Sequence, residues 1–333
     1  MKIDEIINKT AEKHSPYAGD LVNHLPMVQW SIYEMAKDET KAYKFTRKYL
    51  ENNDIDEVGE EYRTISSLDK ALGKKELYRE ALSFLEKETL HKSIEEIISE
   101  VVNKYKFGIS SGLFHTSIRL GYAVEAYNKK PELKDEVLRS LAYYVTGYKK
   151  SKLFKRRVDP ANVSDEMEEL ASSEWINQIL QENDSLGQRI KALYENKNFL
   201  DNAFIIEGSK DEKLKSLLDM LVNLYYRYSN IVVLHCITGI DAIIKLEEYF
   251  EDYDEAVDIL TTSIITHLIT TGIKRYPVQV LSKTGFSWTC LKEKALKSKD
   301  IHDIKFTYSC CRLNKIFDIE LLKDISLKRI KHI

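Results

Sequence analysis

The chain has 333 residues, 43% of them hydrophobic and 31% charged, the make-up of an ordinary folded protein long enough to bury a substantial core. Fifty basic residues against 53 acidic ones leave a net charge of −3, which offers no electrostatic case for a nucleic-acid partner. Four cysteines form no Cys-x-x-Cys pair, no apolar run approaches ~20 residues, and residues 1–5 lack the order of a signal peptide, so the expectation is a cytoplasmic protein with reduced thiols and no membrane partner.

Twelve glycines and five prolines are too few to punctuate a strand-rich fold, and nearly every long segment carries the 3.6-residue period. The expected fold is all-α, a multi-helix bundle forming a single domain over residues 1–333. In chain order, Asn23 followed by Pro26 reads as the cap and first turn of a helix holding His24. Helices are expected over 40–52, 75–87 and 93–105. Ser110 and Ser111 precede a helix that opens near His115 in the same capping manner, and another helix is expected over 132–147. The basic run Lys149, Lys150, Lys152, Lys155, Arg156 and Arg157 reads as a solvated linker. With Asp159-Pro160 it marks a sub-boundary near 149–163, before a helix that opens with Ser164-Asp165-Glu166. Helices over 213–228 and 254–272 follow. Across that boundary the pattern repeats faintly: a helix with a histidine near its start, His115 or His235, precedes a second helix, 132–147 or 254–272. Two similar helical halves packed together would bring those two histidines to one central site.

Histidine placement is the most informative chemistry in the chain. Residues at i+3, i+4, i+7 and i+8 share a helix face with residue i. His24 shares its face with Met27, Val28, Ser31 and Ile32, and His115 with Ile118, Arg119, Tyr122 and Ala123. His235 is followed by Thr238, Gly239, Ala242 and Ile243, and His302 by Lys305, Phe306, Ser309 and Cys310. His267 ranks fifth, because its stripe of Thr270, Thr271, Lys274 and Arg275 turns polar. His14, in a turn before Ser15-Pro16, His91, beside Glu95, and His332, in the C-terminal tail, look ordinary. A lone buried histidine is more often a hydrogen-bonded core residue than a ligand. Five on core-facing stripes point instead to a shared transition metal, since each desolvated ring must otherwise find its own partner. Asn23, Asp241, Arg119, Tyr122 and Glu125 lie near enough in sequence to orient a ring or touch a substrate. Tyr122 and Arg119 are the catalytic candidates, although a core role for Tyr122, with its hydroxyl hydrogen-bonded, is the plainer alternative.

Several of these segments resemble the questin oxidase-like family. They are Asn23-His24-Leu25-Pro26-Met27, the block Gly112-Leu113-Phe114-His115-Thr116-Ser117-Ile118-Arg119-Leu120-Gly121-Tyr122-Ala123, Leu234-His235-Cys236-Ile237-Thr238, and Asp300-Ile301-His302-Asp303-Ile304-Lys305. The resemblance implies an oxidoreductase whose relatives oxidatively open rings of aromatic polyketides such as anthraquinones. It also implies non-haem iron, or another divalent transition metal in its place, held by histidines from several helices with a carboxylated lysine. Mapped onto this chain, the ligands are His24, His115, His235 and His302, the lysine is Lys305, and His267 is the reserve. The partners implied are dioxygen and a small organic substrate.

His302 and Lys305, three positions apart, share a helical face, and burial disfavours a charged ammonium there. A neutral amine can add carbon dioxide and become an anionic oxygen donor, which suits a metal with mixed nitrogen and oxygen ligation. An exposed Lys305 reaching solvent is the bland counterpart. A metal-dependent hydrolase on a helical scaffold, and a non-catalytic helical protein with buried histidines, stand as the alternative functions.

Overall fold

A computed structural model describes residues 1–18, 21–59, 61–276, 280–282 and 284–331. The fold is all-α. Helices α1 (Ile3–Lys13), α2 (Leu25–Ala36) and α3 (Glu39–Asn52) open the chain, followed by α4 (Tyr78–Glu88), α5 (Ile94–Lys104), α6 (His115–Lys129) and α7 (Lys134–Thr146). Four short helices come next: α8 (Val163–Ser172), α9 (Glu174–Glu182), α10 (Leu186–Glu195) and α11 (Lys197–Asn202). Longer ones complete the bundle: α12 (Lys210–Tyr228), α13 (Ile231–Lys245), α14 (Tyr253–Thr270), α15 (Trp288–Ala295), α16 (Ile301–Phe317) and α17 (Leu321–Lys331).

The ends of these helices follow local chemistry. Ser93 caps α5 in a reciprocal capping box with Glu96, and Ser209 with Glu212 does the same for α12. The helix expected from residue 75 begins instead with a 3-10 turn, Lys75–Leu77, before α4 proper. Ser110 and Ser111 do not cap α6. Gly112, Leu113 and Phe114 intervene in a left-handed turn, with φ of +59°, +56° and +65°, and Ser111 instead uses its hydroxyl to accept the Lys149 amide, 2.8 Å away. Strands are confined to two small pairs among the described residues: β1 (Tyr17–Ala18) antiparallel to β2 (Leu21–Val22), and β3 (Arg156–Val158) parallel to β4 (Phe204–Ile206). Strand β3 lies inside the basic segment, where Arg156 pairs with Glu166 and Arg157 with Asp258.

Helices α6 and α13 form the centre of the bundle and are buried along nearly their whole lengths. Their approach depends on two glycines. A Cβ on Gly121 would lie 3.0 Å from the Ala242 backbone, and one on Gly239 would lie 2.8 Å from the Phe114 ring. Each helix continues through a single 3-10 turn, Pro131–Leu133 or Glu247–Tyr249, into the next, α7 or α14. Helices α2 and α16 pack against each other and against the central pair, α2 on α6 and α16 on α13. One apolar core runs through the bundle, from Ile3 on α1 to Ile325 on α17. No helix among the described residues is long and apolar enough to cross a membrane.

Candidate metal centre

Four of the five histidines converge where α2, α6, α13 and α16 meet. His24 is the cap residue of α2, His115 the first residue of α6, His235 lies in the second turn of α13, and His302 in the first turn of α16. Ring centroids lie 4.8 Å apart for His24 and His115, 4.4 Å for His115 and His235, 5.1 Å for His24 and His302, and 5.6 Å for His235 and His302. Ligand nitrogens of His24, His235 and His302 all fall within 4.8 Å of one another. The Nε2 atoms of His24 and His115 face each other at 2.9 Å.

Each ring is held from behind through Nδ1. His24 bonds the Val22 carbonyl at 2.6 Å, His115 the Gly112 carbonyl, and His235 the Ile231 carbonyl at 2.8 Å. The left-handed turn before α6 has its purpose here. Two non-glycine residues accept an uncommon backbone conformation so that the Gly112 carbonyl can meet the ring of His115. His302 differs, because its Nδ1 lies 3.1 Å from a carboxylate oxygen of Asp300, the residue that also caps α16. Arg329 in turn pairs with Asp300 and, at 2.8 Å, with Asp303. Burial works to raise the Asp300 carboxyl, but hydrogen bonds from His302 and the Arg329 charge hold it down at about 2.

Carbonyl acceptors assign the proton to Nδ1 in His24, His115 and His235, so their Nε2 lone pairs point into the shared interior. Burial, and then the Lys305 charge, push the basicity of His24 well below the usual range and that of His115 to about 3. His235 is likewise well below it, through burial first and then His115 and Lys305. Its Nε2 is buried and has no hydrogen-bond partner among the described residues. Two lone pairs at 2.9 Å and a third without a donor are costly in a dry interior. Lys305 compounds the imbalance. It is fully buried, its Nζ lies 3.8 Å from Met27 Sδ, and it has no ion-pair partner among the described residues. Burial foremost, with the Lys245 charge adding to it, brings its amine down to about 7. Inward lone pairs, an orphaned nitrogen and a buried amine without an anion are what a cation with nitrogen and oxygen ligands would satisfy.

One helical turn along α16 lies a second buried polar cluster of opposite character. Lys245 sits 2.9 Å from Asp241 and 3.0 Å from Glu125, while Arg312 reaches the same two carboxylates at 3.0 and 3.2 Å. Ser309 donates to Asp241 at 2.9 Å. Tyr122 joins the two clusters. Its hydroxyl lies 3.2 Å from Ser309 Oγ and 3.4 Å from the Lys305 carbonyl, and its ring centroid is 3.8 Å from the Lys245 ammonium. Burial alone would raise the Glu125 carboxyl, but Lys245 and Arg312 outweigh it and bring it to about 2.

Other expected residues lie elsewhere. His267 is buried on α14, bonded through Nδ1 to the Ser263 carbonyl at 2.7 Å, and its ring packs against Phe114 at 5.1 Å rather than against the four histidines. Arg119 meets none of the four rings and forms a fully buried ion pair with Glu136 at 2.9 Å. It is therefore committed to joining α6 to α7. Asn23 orients the entry to α2, accepting the Leu25 amide and donating to the Ser15 carbonyl. His14 closes α1, His91 is exposed in a turn, and His332 lies outside the described residues. Gly108-Ile109-Ser110-Ser111-Gly112 has the spacing of a serine nucleophile elbow, but a 3-10 turn rather than a strand leads into it, and the nearby His115 is committed through Nδ1 to Gly112. Asp300, Lys245 and Arg312 are participants that sequence reasoning missed. An aspartate two residues before His302 and a lysine four after Asp241 were the available signals.

A family model described as Questin oxidase-like matches residues 21–310, a span that holds His24, His115, His235, His302 and Lys305. The chain belongs to the questin oxidase-like family. An oxidase-type enzyme with a small-molecule substrate follows at that level. No curated protein matches the chain with significant similarity.

Proposed function

We propose that this member of the family is a metal-dependent oxygenase, with His24, His115, His235 and His302 holding a non-haem iron and Lys305, carboxylated on Nζ, adding an oxygen donor. The observation that carries the reading is the set of inward imidazole nitrogens left without donors, above all the orphaned Nε2 of His235. Such a metal supplies a redox-active Lewis acid for the reaction of dioxygen with a small, aromatic or polyketide-like substrate. Another divalent transition metal in the same ligands is the variant of this reading.

The chain's own residues have definite tasks in it. Carbonyls of Val22, Gly112 and Ile231 fix the tautomers and aim the rings, and the Asp300 carboxylate does so for His302. Carboxylation needs a neutral amine: the Nζ lone pair forms a bond to the carbon of CO2, one N–H proton leaves, and a carbamate anion results. The apolar surroundings of Lys305 favour the neutral amine, and the anion supplies the negative charge that the cluster lacks. Tyr122 anchors the Lys305 carbonyl and so holds that turn of α16 in place. Access is from the His302 side, where the side chain is 23% exposed while the other three rings are buried.

Metal analysis of protein purified without chelator, alongside His115→Ala and His235→Ala, tests the proposal. Wild type should carry iron that responds to dioxygen, and both variants should lose it while retaining wild-type helicity. A lone zinc indifferent to dioxygen would move the assignment to a hydrolase that activates water, and a metal-free wild type would leave a helical protein without this chemistry.

A further inference from the structure

A groove of about 900 Å3 lies between α3 and the segment joining α15 to α16. Its rim carries Lys41, Lys44 and Lys48 from α3 and Lys297 and Lys299 from the joining segment, with Glu293 as the one acid among its lining residues. None of these five lysines has an ion-pair partner among the described residues, although acids outnumber bases in the chain as a whole. The floor is apolar and aromatic. Ile32, Phe45, Tyr49 and Leu296 line it, and the Phe45 and Tyr49 rings lie side by side at 5.9 Å with planes only 20° apart.

We infer that this groove binds an aromatic carboxylate. The flat body would lie on Phe45 and Tyr49, and the carboxylate would be held between the lysines of α3 and those of 297–299. The size suits a multi-ring molecule, because small-ligand sites span roughly 300–1,000 Å3. Unpaired lysines around an apolar floor match a ligand that is apolar in body and anionic at one end, and lysine cations stand within reach of ring faces on the ligand as well. Ile32 is two turns along α2 from His24, on the same face, and Lys299 lies three residues before His302 on the partly exposed side of the histidine cluster. Binding itself does not depend on the metal reading, and it is tested without a metal.

Full-length, metal-free protein titrated calorimetrically with 2-naphthoate provides that test. Saturable binding is expected, weakened ~10-fold or more by Lys44→Glu with Lys48→Glu and by Lys297→Glu with Lys299→Glu, and unchanged by the remote pair Lys134→Glu with Lys197→Glu. A neutral naphthalene methanol should bind more weakly than naphthoate, and decanoate should bind more weakly as well. Equal or tighter binding of decanoate would overturn the aromatic assignment. So would binding of anionic vesicles in place of naphthoate, indifference to the groove reversals, or a loss that the remote pair reproduces. Circular dichroism identical among the variants ties any loss to the groove rather than to folding.

Discussion

Two polar clusters are buried side by side on α6, α13 and α16, and they are built on different terms. Around Glu125 and Asp241, two carboxylates face Lys245 and Arg312, Ser309 fills a remaining acceptor, and every ion has its counter-ion within 3.2 Å. Around His235, three rings turn unprotonated nitrogens inward beside His302, and Lys305 is a buried base without an ion-pair partner among the described residues. The first cluster is balanced in charge and holds helices together. The second leaves donor capacity unspent, the pattern of a site organised for something other than stability.

Unbalancing the first cluster should cost the most stability. Lys245→Met leaves the two buried carboxylates facing Arg312 and the more exposed Lys129, and a loss of about 3–5 kcal/mol in urea denaturation is expected, the range for breaking a buried ion pair. A loss below 1 kcal/mol would mean that the network is not a structural element.

Acid separates the two clusters next. In metal-free protein His115 is held at about 3 against an ordinary 6.5, so below pH 6.5 the unfolded chain takes up that proton first. Its contribution is complete above pH 6.5 and falls away as pH drops toward 3, by up to about 1.4 kcal/mol per pH unit. Glu125, held at about 2 against 4.5, contributes fully above pH 4.5 and is lost only as pH falls from there toward 2. Urea midpoints from pH 7 to 4 should therefore decline already above pH 5 in wild type, and less steeply in His115→Phe. Equal slopes for the two proteins would contradict the burial of a neutral ring.

A smaller effect sharpens the same contrast. Filling the open cluster with a hydrocarbon, His235→Leu, should change the stability of metal-free protein by no more than about 1 kcal/mol, because the orphaned nitrogen goes with the ring. Retained stability together with lost metal would separate this site from the Lys245 cluster; a loss as large as that of Lys245→Met would put both in one structural class. Smallest in stability is Asp300→Asn, which keeps shape and cap but removes the charge behind His302. Metal affinity by competition with a chelator should fall ~10–100-fold with the melting curve little changed.

Much of this was legible in the residues. Face-by-face reading of His24, His115, His235 and His302 located the convergence because i+4 and i+7 neighbours report burial directly, and the helices over 40–52 and 93–105 followed from the period alone. Arg119 and His267 show where such reading ends. Both lie on helices buried all round, α6 and α14, so burial did not say which way either side chain leaves its helix. Arg119 was drawn to Glu136 on α7, and Phe114 came to lie against His267, because pairings between helices are set by crossing geometry that no single-helix pattern encodes. Likewise the three left-handed residues before α6 include two, Leu113 and Phe114, whose types do not announce the turn they make.

X-ray absorption spectroscopy of protein isolated without chelator reads the bound element and its nearest atoms together. An iron edge is expected, with the multiple-scattering signature of several imidazoles and a minority of light oxygen donors. An iron signal without imidazole scattering, or no transition metal bound to the purified protein, would contradict it.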